Sequence, residues 1–532
     1  MTASRSGFLT RSQGMALAAV ALGLSVFLSR ILGLVRDKVI SYYFGTGVEA
    51  DVYFMAFVVP DFLNYLLAGG YFSITLVPLL ARAFADDEAD GWRFFSSAVC
   101  WAALSITLLT LVAWIFAPAI ADLVAPGFTG EARARLAVFL RIILPAQMCF
   151  LPGACFSAVL YYRRQFTVPA LTPLVYNGCI IIVGVLGLHF FPQRGMEGFC
   201  WGVLVGAFLG SLCLPALAVA QGGMRFVPRL RHKTMFKVLL LALPLMLGQS
   251  IVALDEQFVR IFGSLTGEGG VSLLNYARRI MLVPVGVVAQ AAGLASYPFL
   301  AALAVAGERE KFDASMNGAA SNTLLVALPL SLCMLVTAEP IMRLIFQQGR
   351  FSAEAATQSG PLLAVMLAGV AFWAVQQIVG RAFYACQDTL TPALAGTAAT
   401  LGALPLYWLG ASYFGAAGVA VAGTLGVALY TVVLCLAWKR KHGGGGTGGL
   451  ARLGLRSLLF CLPACAAGYG ATLLVGMATG PASLWGAALK ITAGGLVFGA
   501  VYLAGSARYA PELAAPLFAM AGKLRGRFGR GD

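Results

Sequence analysis

A chain of 532 residues that is 60% hydrophobic and only 11% charged, with mean hydropathy +0.84, is excluded from the soluble class, where about 25% of residues are charged. It reads as an all-α polytopic membrane protein. The net charge of +15 calls for no nucleic acid, because one-sided basic loops and attraction to anionic headgroups account for it.

Apolar runs of about 20 residues recur along the chain, about fourteen in all, and are taken as helices because backbone groups in hydrocarbon must be satisfied within the segment. They start near Met15, Asp51, Phe94, Leu136, Pro169, Gly198, Met235, Val271, Ser321, Pro361, Pro392, Ala416, Leu453 and Leu484. The first is expected to stay in the membrane, since it is too long for a signal peptide and runs into a charged motif. Basic residues gather in alternate loops: Arg5 and Arg11, Arg82 and Arg93, Arg163 and Arg164, Arg225 to Lys237, Arg309 and Lys311, Lys439 to Arg456, and Lys523 to Arg530. Both termini are therefore expected on the cytoplasmic side.

The first span carries Ser29-Arg30-Ile31-Leu32-Gly33-Leu34-Val35-Arg36-Asp37. An arginine at membrane depth costs at least about 2.5 kcal/mol and normally faces a protein interior or a wet cavity. Arg30 and Arg36 flank Gly33 at three residues to either side, so both are expected to look into one cavity, and a guanidinium fork suits phosphate oxygens. An anionic cargo follows. Asp51, opening the second span, is either a gating residue or a carboxylate set against the helix dipole. The Asp86-Asp87-Glu88-Ala89-Asp90 run reads as a solvated turn.

An internal repeat organises the chain. Tyr162-Arg163-Arg164-Gln165-Phe166-Thr167-Val168-Pro169-Ala170-Leu171 matches Tyr384-Ala385-Cys386-Gln387-Asp388-Thr389-Leu390-Thr391-Pro392-Ala393-Leu394 with a one-residue insertion, and Phe44-Gly45 matches Phe262-Gly263 at nearly the same offset. The expectation is two pseudo-symmetric lobes of about six helices each around a central cavity, residues 1–222 and 223–441. A glycine-rich linker, 442–452, two extra spans within 453–506, and a basic tail, 507–532, complete the chain.

In the seventh span Asp255 stands out as a coupling-ion candidate for Na⁺ or H⁺, while Glu256 has a salt-bridge partner four residues on, Arg260. Arg278 and Arg279 point about 100° apart, and Arg279 is favoured for the cargo. Asp388 is a poorer ion ligand. Arg141 and Arg381 receive no role. Eleven cysteines, placed singly as at Cys100, Cys149, Cys155, Cys213 and Cys333, and distant histidines (His189, His232, His442) give neither a disulfide framework nor a metal cluster. The sequence lacks a GxxxxGKS or GxxxxGKT phosphate loop, so no ATPase is expected. Nor is there a cluster of nucleophile, base or metal carboxylates to suggest an enzyme.

The opening motif, followed by Phe44-Gly45, Ala50-Asp51, Ala56-Phe57, Pro60, Gly70, Phe72-Ser73 and Val77-Pro78, resembles the start of the MurJ (MviN) family of lipid II flippases within the MATE-like exporter superfamily. Phe166, Pro169-Ala170, Pro173, Asn177, Asn275-Tyr276-Ala277-Arg278-Arg279, Phe346 to Phe351 and Ala382-Phe383-Tyr384 extend the resemblance over about the first 400 residues. It implies flipping of undecaprenyl-diphosphate-linked peptidoglycan precursor across the bacterial inner membrane, with membrane lipids and cell-wall synthesis proteins as partners. Arg30, Arg36, Asp51 and Asn64 would bind substrate from one lobe and Arg279 from the other. Three departures stand out: Val58 replaces a basic residue, Asn64-Tyr65 an arginine pair, and Gly69 a glutamate. A flippase for another polyprenyl-linked saccharide is one alternative; a cation-coupled drug exporter, which would favour acidic and aromatic cavity residues, is the other.

Overall fold

Among the described residues of the computed structural model, ten helices are long and apolar enough to cross a membrane, and they fall on eleven of the expected starts. The structure describes residues 15–67, 71–236, 238, 254, 256–443, 447, 449–479 and 483–518. Leu390–His442 contains two expected spans, reversed at Gly415 (φ 59°, ψ −142°), a backbone geometry open in practice to glycine alone. The expected second span is not one helix. It breaks into α2 (Val48–Met55) and α3 (Val58–Leu67), because the ring of Pro60 excludes the carbonyl four residues back from a continuous helix. Most of the expected seventh span lies outside the described residues. No strand occurs among the described residues.

The chain divides into two compact units, Met1–Gly269 and Gly270–Asp532. Residues 224–235 go with the first because they are tied along α5 (Glu88–Ile115): Trp101 Nε1 donates to the Leu230 carbonyl at 2.7 Å and the Val227 amide to Ser96 Oγ at 3.0 Å.

In the first unit, α1 (Met15–Phe44) packs on α9 (Thr167–Phe190), with Ser25 Oγ donating to the Ala170 carbonyl. The α9 helix also packs on α10 (Glu197–Gly206) and its π-helical continuation Ala207–Cys213. Glycines at 198, 202, 206 and 210 recur every four residues along that face, and a Cβ on Gly202 would lie 2.8 Å from the Ile180 Cα. In lipid, where there is no hydrophobic drive between helices, such small residues let dispersion hold them together.

In the second unit, α14 (Arg309–Val336) lies between α17 (Val370–Ala385) and the last two helices, α19 (Leu450–Thr479) and α20 (Leu484–Tyr509). The α19 and α20 helices meet at Gly468 and Gly494. Their other faces expose Leu474, Met477, Trp485 and Leu496, as expected for a peripheral pair facing lipid.

The internal repeat has a structural signature. Helix α8 (Gln147–Tyr162) and α17 both end in a left-handed residue that is not glycine, Arg164 (φ 58°) and Gln387 (φ 60°), 223 residues apart. Gln165 and Asp388 then donate their amides to the Leu160 and Phe383 carbonyls at 2.8 and 2.9 Å, the same six-to-one closure. This sets Tyr161, not Tyr162, opposite Tyr384 and removes the insertion expected from sequence. The second match dissolves: Gly45 is left-handed (φ 60°) but Gly263 is right-handed helical (φ −58°), so the two glycines do different backbone work.

Asp388 closes this repeat loop onto the next helix, accepting from the Thr391 amide at 3.1 Å and from Lys441 Nζ at 2.7 Å. Partial burial pushes its carboxyl up, but hydrogen bonds from Lys441 and Thr391 outweigh that and hold it below the usual carboxylate value. Stability from a depressed carboxyl is complete above the unfolded value of about 4 and is lost as pH falls through the folded one. Asp388→Asn is therefore expected to lower stability at pH 7 by about 0.5–1 kcal/mol, since the lysine is half exposed, and the gap should narrow as pH falls below about 4 and close below the folded value. Equal melting-temperature differences at pH 7 and pH 3.5 would show that the charge is not the source.

Candidate functional site

Two adjoining knots of charge lie on α1, α3 and the stretch 256–263 of the first unit. On α1, Arg36 is nearly buried and its Nε and Nη2 contact Asp37 Oδ1 at 3.0 and 2.9 Å, while Nη1 donates to Asn177 Oδ1 of α9 at 3.3 Å. Asp37 is fully buried. Beyond it, Arg260 of the helical stretch 256–263 donates to Asp61 Oδ2 of α3 at 2.7 Å, Gln257 Oε1 at 3.2 Å and Glu256 Oε1 at 3.4 Å. Arg36 and Asp61 are close enough to influence each other electrostatically, with Tyr53 and Tyr176 beside Arg36. Two guanidinium groups thus meet three carboxylates, Asp37, Asp61 and Glu256.

This corrects the picture of bare cations lining a cavity. In low dielectric an unpaired charge is costly, so Arg36 carries its own counter-ion in the next residue. An incoming phosphate would bind it by exchanging with that carboxylate. Arg30 is exposed where Arg36 is nearly buried. Gly33 between them is buried, yet a Cβ there would meet nothing within 4 Å, which leaves open space beside α1.

Asp51 is buried in the first turn of α2, and its Oδ2 accepts from the Gly269 amide at 2.6 Å. It anchors the turn that follows residue 266. The Gly127 amide helps, donating to Ser264 Oγ at 3.3 Å. Asn64 is half-buried one turn beyond Asp61 on α3. Arg279 is half-buried on α12 (Gly270–Pro284) of the second unit. Asp255 lies outside the described residues. The pair Glu256–Arg260 forms as its four-residue spacing suggested. Asp61 was missed, although a carboxylate three residues from both Val58 and Asn64 is itself a signal, since ionisable groups at membrane depth are expensive. Among the described residues no group of three His, Cys, Asp or Glu is arranged to hold a metal.

Comparisons with known proteins place the chain. The family described as "Lipid II flippase MurJ" matches residues 40–484. A probable lipid II flippase MurJ of Rhizobium meliloti is 30% identical over 68% of this chain and 69% of its own. One from Vibrio cholerae is 26% identical over 80% and 83%. Among solved structures, a lipid II flippase MurJ in an inward closed conformation superposes with a TM-score of 0.75 at 23% identity, covering 92% of this chain and 99% of that one. A MATE family multidrug resistance transporter of the MOP superfamily, inward-facing, follows at 0.65 and 16% identity, covering 80% and 98%; both likenesses speak to the fold. With the family match spanning most of the chain and the fold agreeing, this protein belongs to the lipid II flippase MurJ family.

Proposed function

We propose that this protein moves lipid II, the polyprenyl-diphosphate-linked peptidoglycan precursor, across the bacterial inner membrane by alternating access, with both termini cytoplasmic. The observation that carries the reading is the family match over residues 40–484. The charge on α1 supports it, because a diphosphate cannot cross hydrocarbon unpaired and Arg36 offers a nearly buried guanidinium held beside the Asp37 carboxylate. Arg30, Arg36 and Asn64 in the first unit and Arg279 in the second bind the headgroup. Asp51 holds the turn at Gly269, and Asp255 takes Na⁺ or H⁺ as coupling ion. A different polyprenyl-linked saccharide is the second reading, favoured by Val58, Asn64, Tyr65 and Gly69 standing where relatives carry charge.

Complementation tests this. In a host depleted of its resident lipid II flippase, the unaltered chain should restore growth and exposure of the precursor at the outer leaflet. Arg36→Ala should cut that exposure by about tenfold or more, the loss expected when a charge-assisted contact disappears. Rescue by Arg30→Ala, Arg36→Ala and Arg279→Ala equal to that of the unaltered chain removes the site assignment. Failure of a well-expressed unaltered chain shifts the reading to another saccharide.

A further inference from the structure

Arg381, given no role by the sequence, lies on α17 four residues before its end, about 6 Å inside that end at 1.5 Å per residue. Its side chain lies across α13 (Ala291–Val305), where a Cβ on the buried Gly293 would come within 2.6 Å of its Nε. Arg36, Arg260, Arg309 and Arg343 each have a carboxylate partner. Among the described residues, none pairs with Arg381. Its hydrogen bond is a long one, 3.5 Å to Gln377 Oε1, and its electrostatic neighbours are Tyr384 and Tyr297. A half-buried guanidinium without a counter-ion invites an anion, and the surrounding groups are neutral and able to donate: two phenols and an amide. Exposed Lys439, Arg440 and Arg309 lie at the same end of the unit, near the close of α17, and draw negative charge to that surface.

We propose that Arg381, with Tyr297, Tyr384 and Gln377, forms a phosphate-binding site in the second unit that takes the diphosphate of a polyprenyl lipid at the hydrocarbon boundary. The identity of that lipid rests on the function proposed above. A phospholipid phosphate offers the same chemistry, so the test separates the two.

The full chain, in phosphatidylcholine nanodiscs, is titrated with a polyprenyl diphosphate, with phosphatidylglycerol and with inorganic pyrophosphate. Arg381→Gln should weaken polyprenyl diphosphate binding about tenfold, Arg381→Lys less, since it keeps the charge and loses the fork, and Tyr297→Phe should weaken it two- to threefold, while melting temperatures stay level. Should Arg381→Gln misfold, Tyr297→Phe carries the test. Unchanged binding by Arg381→Gln overturns the proposal, and so does phosphatidylglycerol binding as tightly as the diphosphate, which would mark a general headgroup site. Binding of pyrophosphate alone, without added affinity from the prenyl tail, overturns the lipid assignment. If the unaltered chain binds no polyprenyl diphosphate and fails complementation, the flippase reading falls, and sensitivity of phosphatidylglycerol binding to Arg381→Gln then decides whether the phosphate site stands.

Discussion

Arg260→Met is expected to destabilise the protein by about 2–3 kcal/mol, below the roughly 3–5 kcal/mol of a fully buried pair because its partners are about a third exposed. Arg260 itself is nearly buried, and removing it takes the cation 2.7 Å from Asp61 and one partner, at 3.4 Å, from Glu256. The penalty is the desolvated carboxylate left behind, not the attraction lost. Asp61→Leu added to Arg260→Met should therefore restore part of the loss, as apolar groups of similar size replace the pair at little cost. Thermal unfolding of both single variants and the double variant measures the coupling. If the losses of the single variants simply add in the double, the pair holds nothing together. Because Asp61 is on α3 and Arg260 on the stretch 256–263, the same experiment asks whether the ion pair pins that stretch within the first unit.

Gly153→Val is expected to cost about 3 kcal/mol or more, at the upper end for overpacking. A Cβ at Gly153 would stand 1.9 Å from the Ser211 carbonyl oxygen and 2.8 Å from its carbon. These are backbone atoms of the π-helical segment Ala207–Cys213, so no side chain can rotate away and α8 must move off its neighbour. Gly178→Ala is the matched control: Gly178 lies within α9 and an added Cβ there meets nothing within 4 Å. It should be neutral or slightly stabilising, because alanine is the better helix former by up to about 1 kcal/mol. Fluorescence-detected thermostability in detergent measures both. Equal melting temperatures for Gly153→Val and the unaltered protein would mean that the two helices do not approach as closely as they do here.

Hydropathy alone determined that the chain is all-helical and crosses the membrane many times, since every apolar run must close its own hydrogen bonds in lipid. Local spacing determined the Glu256–Arg260 pair, and the neighbouring letters Arg36-Asp37 already contained a counter-ion. The repeat was legible too, but its register was not, because Tyr161 and Tyr162 look alike as letters and only the left-handed turns at Arg164 and Gln387 show which one matches Tyr384. Tertiary structure decided the rest: Asp61 against Arg260, Asp51 against the Gly269 amide, Gly153 against Ser211 and Arg381 against Gly293. Helical periodicity specifies which face a residue occupies, whereas its partner across some 60 to 220 residues depends on how close two backbones come. That distance is set by small side chains and by buried charges seeking neutrality, and even where the small residues recur regularly, as at Gly198, Gly202, Gly206 and Gly210, the letters do not name the helix they meet.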